Sequence, residues 1–247
     1  IPPAISKIVA KYNSLGQYKT GYRVFRLSFY FMMLTGILAF LLLFLLAEPI
    51  ANIIVASKDP QGNSVDDVTK VIRMVSFALI VVPAMSAVRG FFQGHQTMEP
   101  TAISQVVEQI VRIAFLLIAA FVIIVIQKGS YVNAVSYATF AAFVGALGAI
   151  FVLMQFWNRR KNIYYTNINN QRKNISVPTK DLFKEMFSYA VPFILVGIAT
   201  PLYQFIDLFT FNRAMEAVGL SAISELSFAA IHVNGNKLIV IPVMIAT

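Results

Sequence analysis

Long apolar runs separated by short, basic polar segments set the rhythm of this chain. Leu27–Ala47 holds 21 residues without a charge, Met186–Ile206 another 21, and Gly129–Asn158 holds 30. A membrane-crossing helix needs about 20 residues. Met74–Val88 is shorter, but apolar flanks on both sides complete it. The pattern predicts an all-α fold, a polytopic transmembrane helical bundle. Spans are expected near 24–47, 69–92, 100–126, 132–157 and 184–211. Residues 1–12 read as the tail of an earlier helix, and a further span begins near 236. The chain opens on Ile1-Pro2-Pro3 and stops inside the apolar run Leu238–Thr247, so it is expected to be a portion of a longer protein.

One span breaks the apolar rule. Thr101–Gln127 is mostly hydrophobic, yet its first half carries Gln105, Glu108, Gln109 and Arg112. The spacing i, i+3, i+4, i+7 places all four on one helical face. Arg112 lies about 18 Å along the helix from Pro100, at about 1.5 Å per residue. That is too deep for a headgroup anchor. A charge at the centre of a membrane helix costs roughly 2.5–3.5 kcal/mol on insertion scales. Such a stripe is therefore expected to face water or protein, which points to a polar cavity in a transporter or channel. Glu108 and Arg112 also stand in the favourable order for an i,i+4 ion pair. Two readings stay open: a pair that only neutralises itself, and a pair that lines a substrate or ion path.

Composition agrees with the membrane reading. Hydrophobic residues make up 58% of the chain and charged residues 13%, about half the share of a soluble domain. Mean hydropathy is +0.71. The formal net charge is +9, and basic loops beside membrane spans account for it without nucleic acid. Thirteen of the 20 Lys and Arg residues fall on one side of the predicted topology, in the loops around Lys7–Arg26, at Arg89 and over Arg159–Lys184. Six fall on the other side, with Arg112 set apart inside the membrane. The first side is expected to be cytoplasmic. Cysteine is absent, so disulfides and thiol chemistry are excluded.

The stretch Asn158–Lys180 is rich in Asn, Lys and Arg and is closed by Pro178. It is expected to be a loop or interfacial segment near anionic headgroups, because Asn is a poor helix former. This divides the chain into 1–157, a basic linker over 158–182, and 183–247. Arg89-Gly90-Phe91-Phe92-Gln93-Gly94-His95 runs on to Pro100 between two spans. Its two glycines are expected to permit a tight reversal, with Pro100 in the first turn of the next helix. A structural turn and a gating role both remain open there. His95 is expected to be a solvated loop residue. Pro83, Pro192 and Pro201 sit inside spans, where each can kink its helix, as in transporters that rock between states. Asp207 follows a charge-free run and suits either an interfacial cap or an ion-coupling carboxylate. Gly145 and Gly148 form a small-residue patch suited to close helix packing.

No P-loop, Gly-x-Ser-x-Gly, His-Glu-x-x-His or Cys cluster is present in the sequence. Neither an enzyme, a cofactor nor a metal centre is expected.

Ile1-Pro2-Pro3-Ala4-Ile5-Ser6-Lys7 with Lys11-Tyr12-Asn13 resembles the end of the second helix in the MurJ/MviN-like polysaccharide-export family. Arg89-Gly90-Phe91-Phe92-Gln93-Gly94 with Pro100, and Ser104-Gln105-x-x-Glu108-Gln109-x-x-Arg112, resemble its Gram-positive branch, which includes the stage V sporulation protein B group. The resemblance covers the whole chain. It implies a two-lobe exporter of about fourteen helices in the multidrug/oligosaccharidyl-lipid/polysaccharide exporter superfamily. The 158–182 segment would join the lobes. The implied activity is flipping of a lipid-linked cell-wall precursor, lipid II, from the inner to the outer leaflet of the bacterial plasma membrane by alternating access. The substrate and the surrounding membrane lipids would be the partners, with the coupling ion left open. The family's cavity arginines on its first two helices fall upstream of residue 1. Arg112, Glu108, Gln105, Gln109 and Arg89 are then the visible cavity candidates. Asp207, Pro83, Pro192 and Pro201 are the coupling or gating candidates. Three rivals remain: a multidrug or cation antiporter, a flippase for another undecaprenyl-linked glycan, and a non-transporting membrane scaffold.

Overall fold

The computed structural model describes residues 2–54, 64–128, 131–171 and 177–219, with single positions beyond. Among these, all regular structure is helical. The residues fall into two compact units, Ile1–Val191 and Pro192–Thr247. The span expected to begin near 236 lies outside the described residues, as does the segment 55–63, with Gly62, between the first two spans.

Eight α-helices follow in order: α1 (Pro2–Ser14), α2 (Tyr18–Leu45), α3 (Ala47–Ile54), α4 (Val65–Ser76), α5 (Ala78–Gly94), α6 (Glu99–Phe121), α7 (Tyr131–Asn169) and α8 (Thr179–Ala217). A π-helical turn, Val122–Ile126, closes α6. Five segments are long and apolar enough to cross a membrane: Tyr18–Leu45, Val65–Gly94, Glu99–Ile126, Val132–Asn169 and Thr179–Asp207. They coincide with the five expected spans, and the chain is a multi-pass membrane protein.

Local chemistry explains the helix starts. Ser64 caps α4 in a reciprocal box: its hydroxyl accepts from the Asp67 N–H at 3.2 Å, and Asp67 Oδ2 accepts from the Ser64 N–H at 3.3 Å. Pro100 stands in the first turn of α6, where its missing N–H costs nothing. The outward faces carry Leu38, Leu42, Ile110, Leu117 and Phe121, apolar residues suited to lipid contact.

The span expected over 69–92 is two helices, broken at Phe77. Six residues later Pro83 denies the Leu79 carbonyl its i+4 donor. Gly36 of α2 lies against that carbonyl. A Cβ on Gly36 would sit 2.5 Å from Leu79 O and 3.1 Å from Pro83 Cγ.

Gly90 and Gly94 do not make the reversal expected of them. Both are helical, and they receive α1. A Cβ on Gly90 would lie 2.9 Å from Pro2 O, and one on Gly94 would lie 2.6 Å from Val9 Cβ. Their spacing is the small-xxx-small pattern of close membrane-helix packing. The chain turns instead at Gln96, which takes φ 57. His95 is not a free loop residue either: it caps the C-terminus of α5 and is half-buried. Its ring packs on Phe91 and Tyr164, with centroids 4.3 and 4.7 Å away.

The basic stretch after residue 157 also departs from the expected loop. α7 continues to Asn169. At 39 residues and about 1.5 Å each it runs roughly 58 Å, nearly twice a hydrocarbon core of roughly 30 Å. The helix penalty of Asn is well under about 1 kcal/mol. Burial of Tyr164, with Phe156 and Trp157 packed on the same core, outweighs it. The start of α8 docks on the same unit. Leu182 and Met186 pack with Ile8, Tyr12 and Val24. Glu185 takes Lys11 Nζ at 2.5 Å and the Tyr12 hydroxyl at 2.8 Å. Arg23 donates to the Val177 carbonyl and to Thr179 Oγ1.

Candidate functional site

The polar stripe of α6 resolves into a charged cluster shared with α5. Glu108 is the centre, with its side chain 10% exposed. Arg89, at the C-terminal end of α5, reaches it through Nη2 at 2.9 Å and is 11% exposed. Arg112, one turn further along α6, reaches the other carboxylate oxygen through Nη2 at 2.7 Å. Arg89 Nε also donates to Ser104 Oγ at 3.0 Å, and Ser104 donates in turn to the Thr101 carbonyl at 2.9 Å. The inward ridge of α6 is therefore Thr101, Ser104, Glu108 and Arg112, at i, i+3, i+7 and i+11.

Two cations against one anion leave this buried cluster with an excess of positive charge. The excess resides on Arg112. Its side chain is 33% exposed, its Nε is buried without a hydrogen-bond partner, and Nη1 stands outside the bridge. Gln105 and Gln109 lie on the adjoining flank of α6 and are exposed. The stripe thus has a salt-bridged inner edge and an open, polar outer edge.

Beside the cluster, glycines of α7 admit the backbone of α6. A Cβ on Gly145 would fall 2.8 Å from Glu108 O and 3.0 Å from Arg112 Cβ, and one on Gly148 would fall 3.0 Å from Val111 Cγ2. Sequence reasoning placed the two glycines in a packing patch but did not connect them to the charged stripe. It also missed the cross-helix bridge from Arg89 and the part played by Ser104. The i−4 position of Ser104 relative to Glu108 was the available signal.

The remaining candidates stand elsewhere. Pro83 lies in α5 against Gly36. Pro192 and Pro201 lie within α8, which runs through both. Asp207 is half-buried in α8, in the second unit. Among the described residues no group of His, Asp and Glu has metal-binding geometry.

Five apolar spans, one of them carrying a largely buried charged ridge, define a multi-pass membrane protein that keeps ionised side chains within a span. The chain belongs to the polysaccharide biosynthesis protein family, which it matches over residues 1–247. It is 50% identical over 246 residues to the lipid II flippase MurJ of Bacillus subtilis, covering 100% of this chain and 45% of that protein. It is 31% identical to the uncharacterized membrane protein YabM of the same organism, over 83% of this chain and 36% of YabM. It is 27% identical to the stage V sporulation protein B of that organism, over 81% of this chain and 40% of the relative. The chain therefore spans about half the length, or less, of these curated relatives. No solved structure matches it.

Proposed function

We propose that this chain forms most of one lobe, and the start of a second, in a bacterial exporter that flips lipid II from the inner to the outer leaflet. The observation that carries the reading is the excess positive charge of the Arg89–Glu108–Arg112 cluster inside a membrane span. A pyrophosphate-linked headgroup needs such a cation in a watered cavity. The match along the whole chain to a lipid II flippase supplies the substrate class. The protein is a transporter and not an enzyme.

In this reading Arg112 offers its free edge to the anionic headgroup. Gln105 and Gln109 line the same path and are covered by water or by the other lobe. Arg89 and Glu108 hold Arg112 in place. Residues 158–182 join the lobes at the cytoplasmic side, and 183–247 open the second lobe. Pro83, Pro192 and Pro201 provide the bends that alternating access needs, and Asp207 is the candidate for coupling or gating.

Both oxygens of Glu108 are occupied by guanidinium groups, at 2.9 and 2.7 Å. That argues against a cation antiporter in which this carboxylate works alone. The test is made in cells stripped of related flippases. Precursor in the outer leaflet is measured by an added enzyme that cleaves only outward-facing molecules. Cleavage should fall on depletion, return with the wild-type gene, and stay low with Arg112→Ala at normal abundance. Arg112→Lys should restore it in part, because a point charge replaces a planar fork. Unchanged cleavage with altered efflux of a cationic dye would move the assignment to an antiporter. A fully active Glu108→Gln/Arg112→Gln double variant would reduce the cluster to a self-cancelling pair.

A further inference from the structure

An open cleft of about 310 Å³ lies where the end of α1, the turn into α2, the α5–α6 turn and the end of α7 meet. Its polar lining comes from Asn13, Ser14, Tyr18, His95, Gln96 and Asn167. None of these carries a fixed charge. His95 is lined up by its own backbone: Nδ1 stands 3.0 Å from the Phe91 carbonyl. A carbonyl only accepts, so Nδ1 holds the hydrogen and Nε2 presents a lone pair. Nε2 has no partner among the described residues. Asn13 Oδ1 is turned away from the cleft, buried against Gly21 of α2, where a Cβ would lie 3.0 Å from it. Gln96 ends α5 in the left-handed region, in a cap closed by the Thr97 N–H to the Phe92 carbonyl at 3.1 Å and the Gln96 N–H to the Gln93 carbonyl at 2.9 Å.

These features select a ligand class. The Nε2 lone pair of His95 calls for a ligand that brings a hydroxyl or N–H donor, and the hydroxyls and amides of the lining pair with hydroxyl groups in either direction. A lining without charge is a poor host for an ion, which demands a paired counter-charge when desolvated. The volume stands at the lower end of the roughly 300–1,000 Å³ of ligand pockets, which suits a single sugar ring. We propose that this cleft, separate from the charged cluster on α6, binds an uncharged hydroxyl- and amide-bearing group of monosaccharide size. Its source is either a soluble sugar or the saccharide of the exported lipid. The second source rests on the function proposed above; the first does not.

The test uses the full-length protein in lipid nanodiscs, with free N-acetylglucosamine as probe and saturation-transfer NMR as readout. Transfer to the sugar is expected. Gln96→Gly removes the amide yet suits φ 57, so the fold is kept. It should weaken binding by roughly two- to tenfold, the worth of one neutral hydrogen bond. Asn13→Leu should weaken it to a similar degree. A short-chain lipid carrying pyrophosphoryl-N-acetylglucosamine, weakened by the same two variants, assigns the cleft to the exported lipid. A lipid insensitive to both, with the free sugar still sensitive, assigns it to a soluble sugar. No transfer to the free sugar, transfer unchanged in both variants, or displacement of the sugar by inorganic phosphate would overturn the proposal. The free-sugar result is independent of whether the protein exports the precursor.

Discussion

Replacing Glu108 by Gln strands two guanidinium groups, and the structure says which suffers more. Arg89 is 11% exposed and has only Ser104 left as a partner. Arg112 is 33% exposed and can turn its free edge to water. Removing one partner of a buried pair costs about 3–5 kcal/mol, whereas an i,i+4 pair with one exposed member is worth about 0.3–0.5 kcal/mol. The coupling of Glu108 to Arg89 should therefore exceed its coupling to Arg112 several-fold. Each kilocalorie lowers the midpoint by about 2–4 °C in a domain of 150–250 residues, so a loss of about 3 kcal/mol is roughly 6–12 °C. The assay is thermal unfolding of the purified full-length protein, followed by monodispersity after heating. It takes Arg89→Gln, Glu108→Gln, Arg112→Gln and the two doubles with Glu108→Gln. Arg89→Gln/Glu108→Gln should recover much of the loss, because no stranded charge remains on α5. Equal couplings, or a Glu108→Gln variant that melts with wild type, would refute this assignment of the cluster's energy.

Three further outcomes follow from the same geometry. Gly145→Ala should cost about 1–3 kcal/mol as an overpacked site, because its Cβ meets the Glu108 carbonyl at 2.8 Å. Gly148→Ala meets only the Val111 side chain at 3.0 Å and should cost less; the reverse order in thermal unfolding would contradict the packing described. A single cysteine at Asn169 should be shielded from an impermeant thiol reagent in intact cells while one at Asp66 is labelled, and the opposite pattern would invert the topology. Burial holds the His95 imidazole below its ordinary pKa of 6.5, against the hydrogen bond to Phe91. Its stabilising contribution is then complete above pH 6.5 and is lost as the pH falls, when the unfolded chain takes a proton that the folded one refuses. His95→Gln should flatten the decline in melting temperature between about pH 7 and pH 5.5; an unchanged slope would count against it.

The five spans were legible in the chain itself, because a run of about 20 apolar residues has few fates other than a membrane helix. So was the anomaly on α6, since four polar side chains at helical spacing in a hydrophobic run are costly wherever they point. Periodicity within one helix could not say what those side chains meet. Arg89 lies 19 residues before Glu108, and only the packing of α5 on α6 brings the two within 2.9 Å. The same packing sorts the stripe, burying Ser104 and Glu108 while leaving Gln105 and Gln109 at the surface. Local preference failed where tertiary burial outweighed it. Asn-rich residues after 157 stay helical because Tyr164 is buried in the core. Gly90 and Gly94 admit α1 instead of turning the chain, because a side chain at either position would occupy the space of Ile5 or Val9. Hydrophobicity, a one-dimensional quantity, thus fixed which segments cross the membrane. The pairing of charges depended on which helices touch, a property of three-dimensional packing alone.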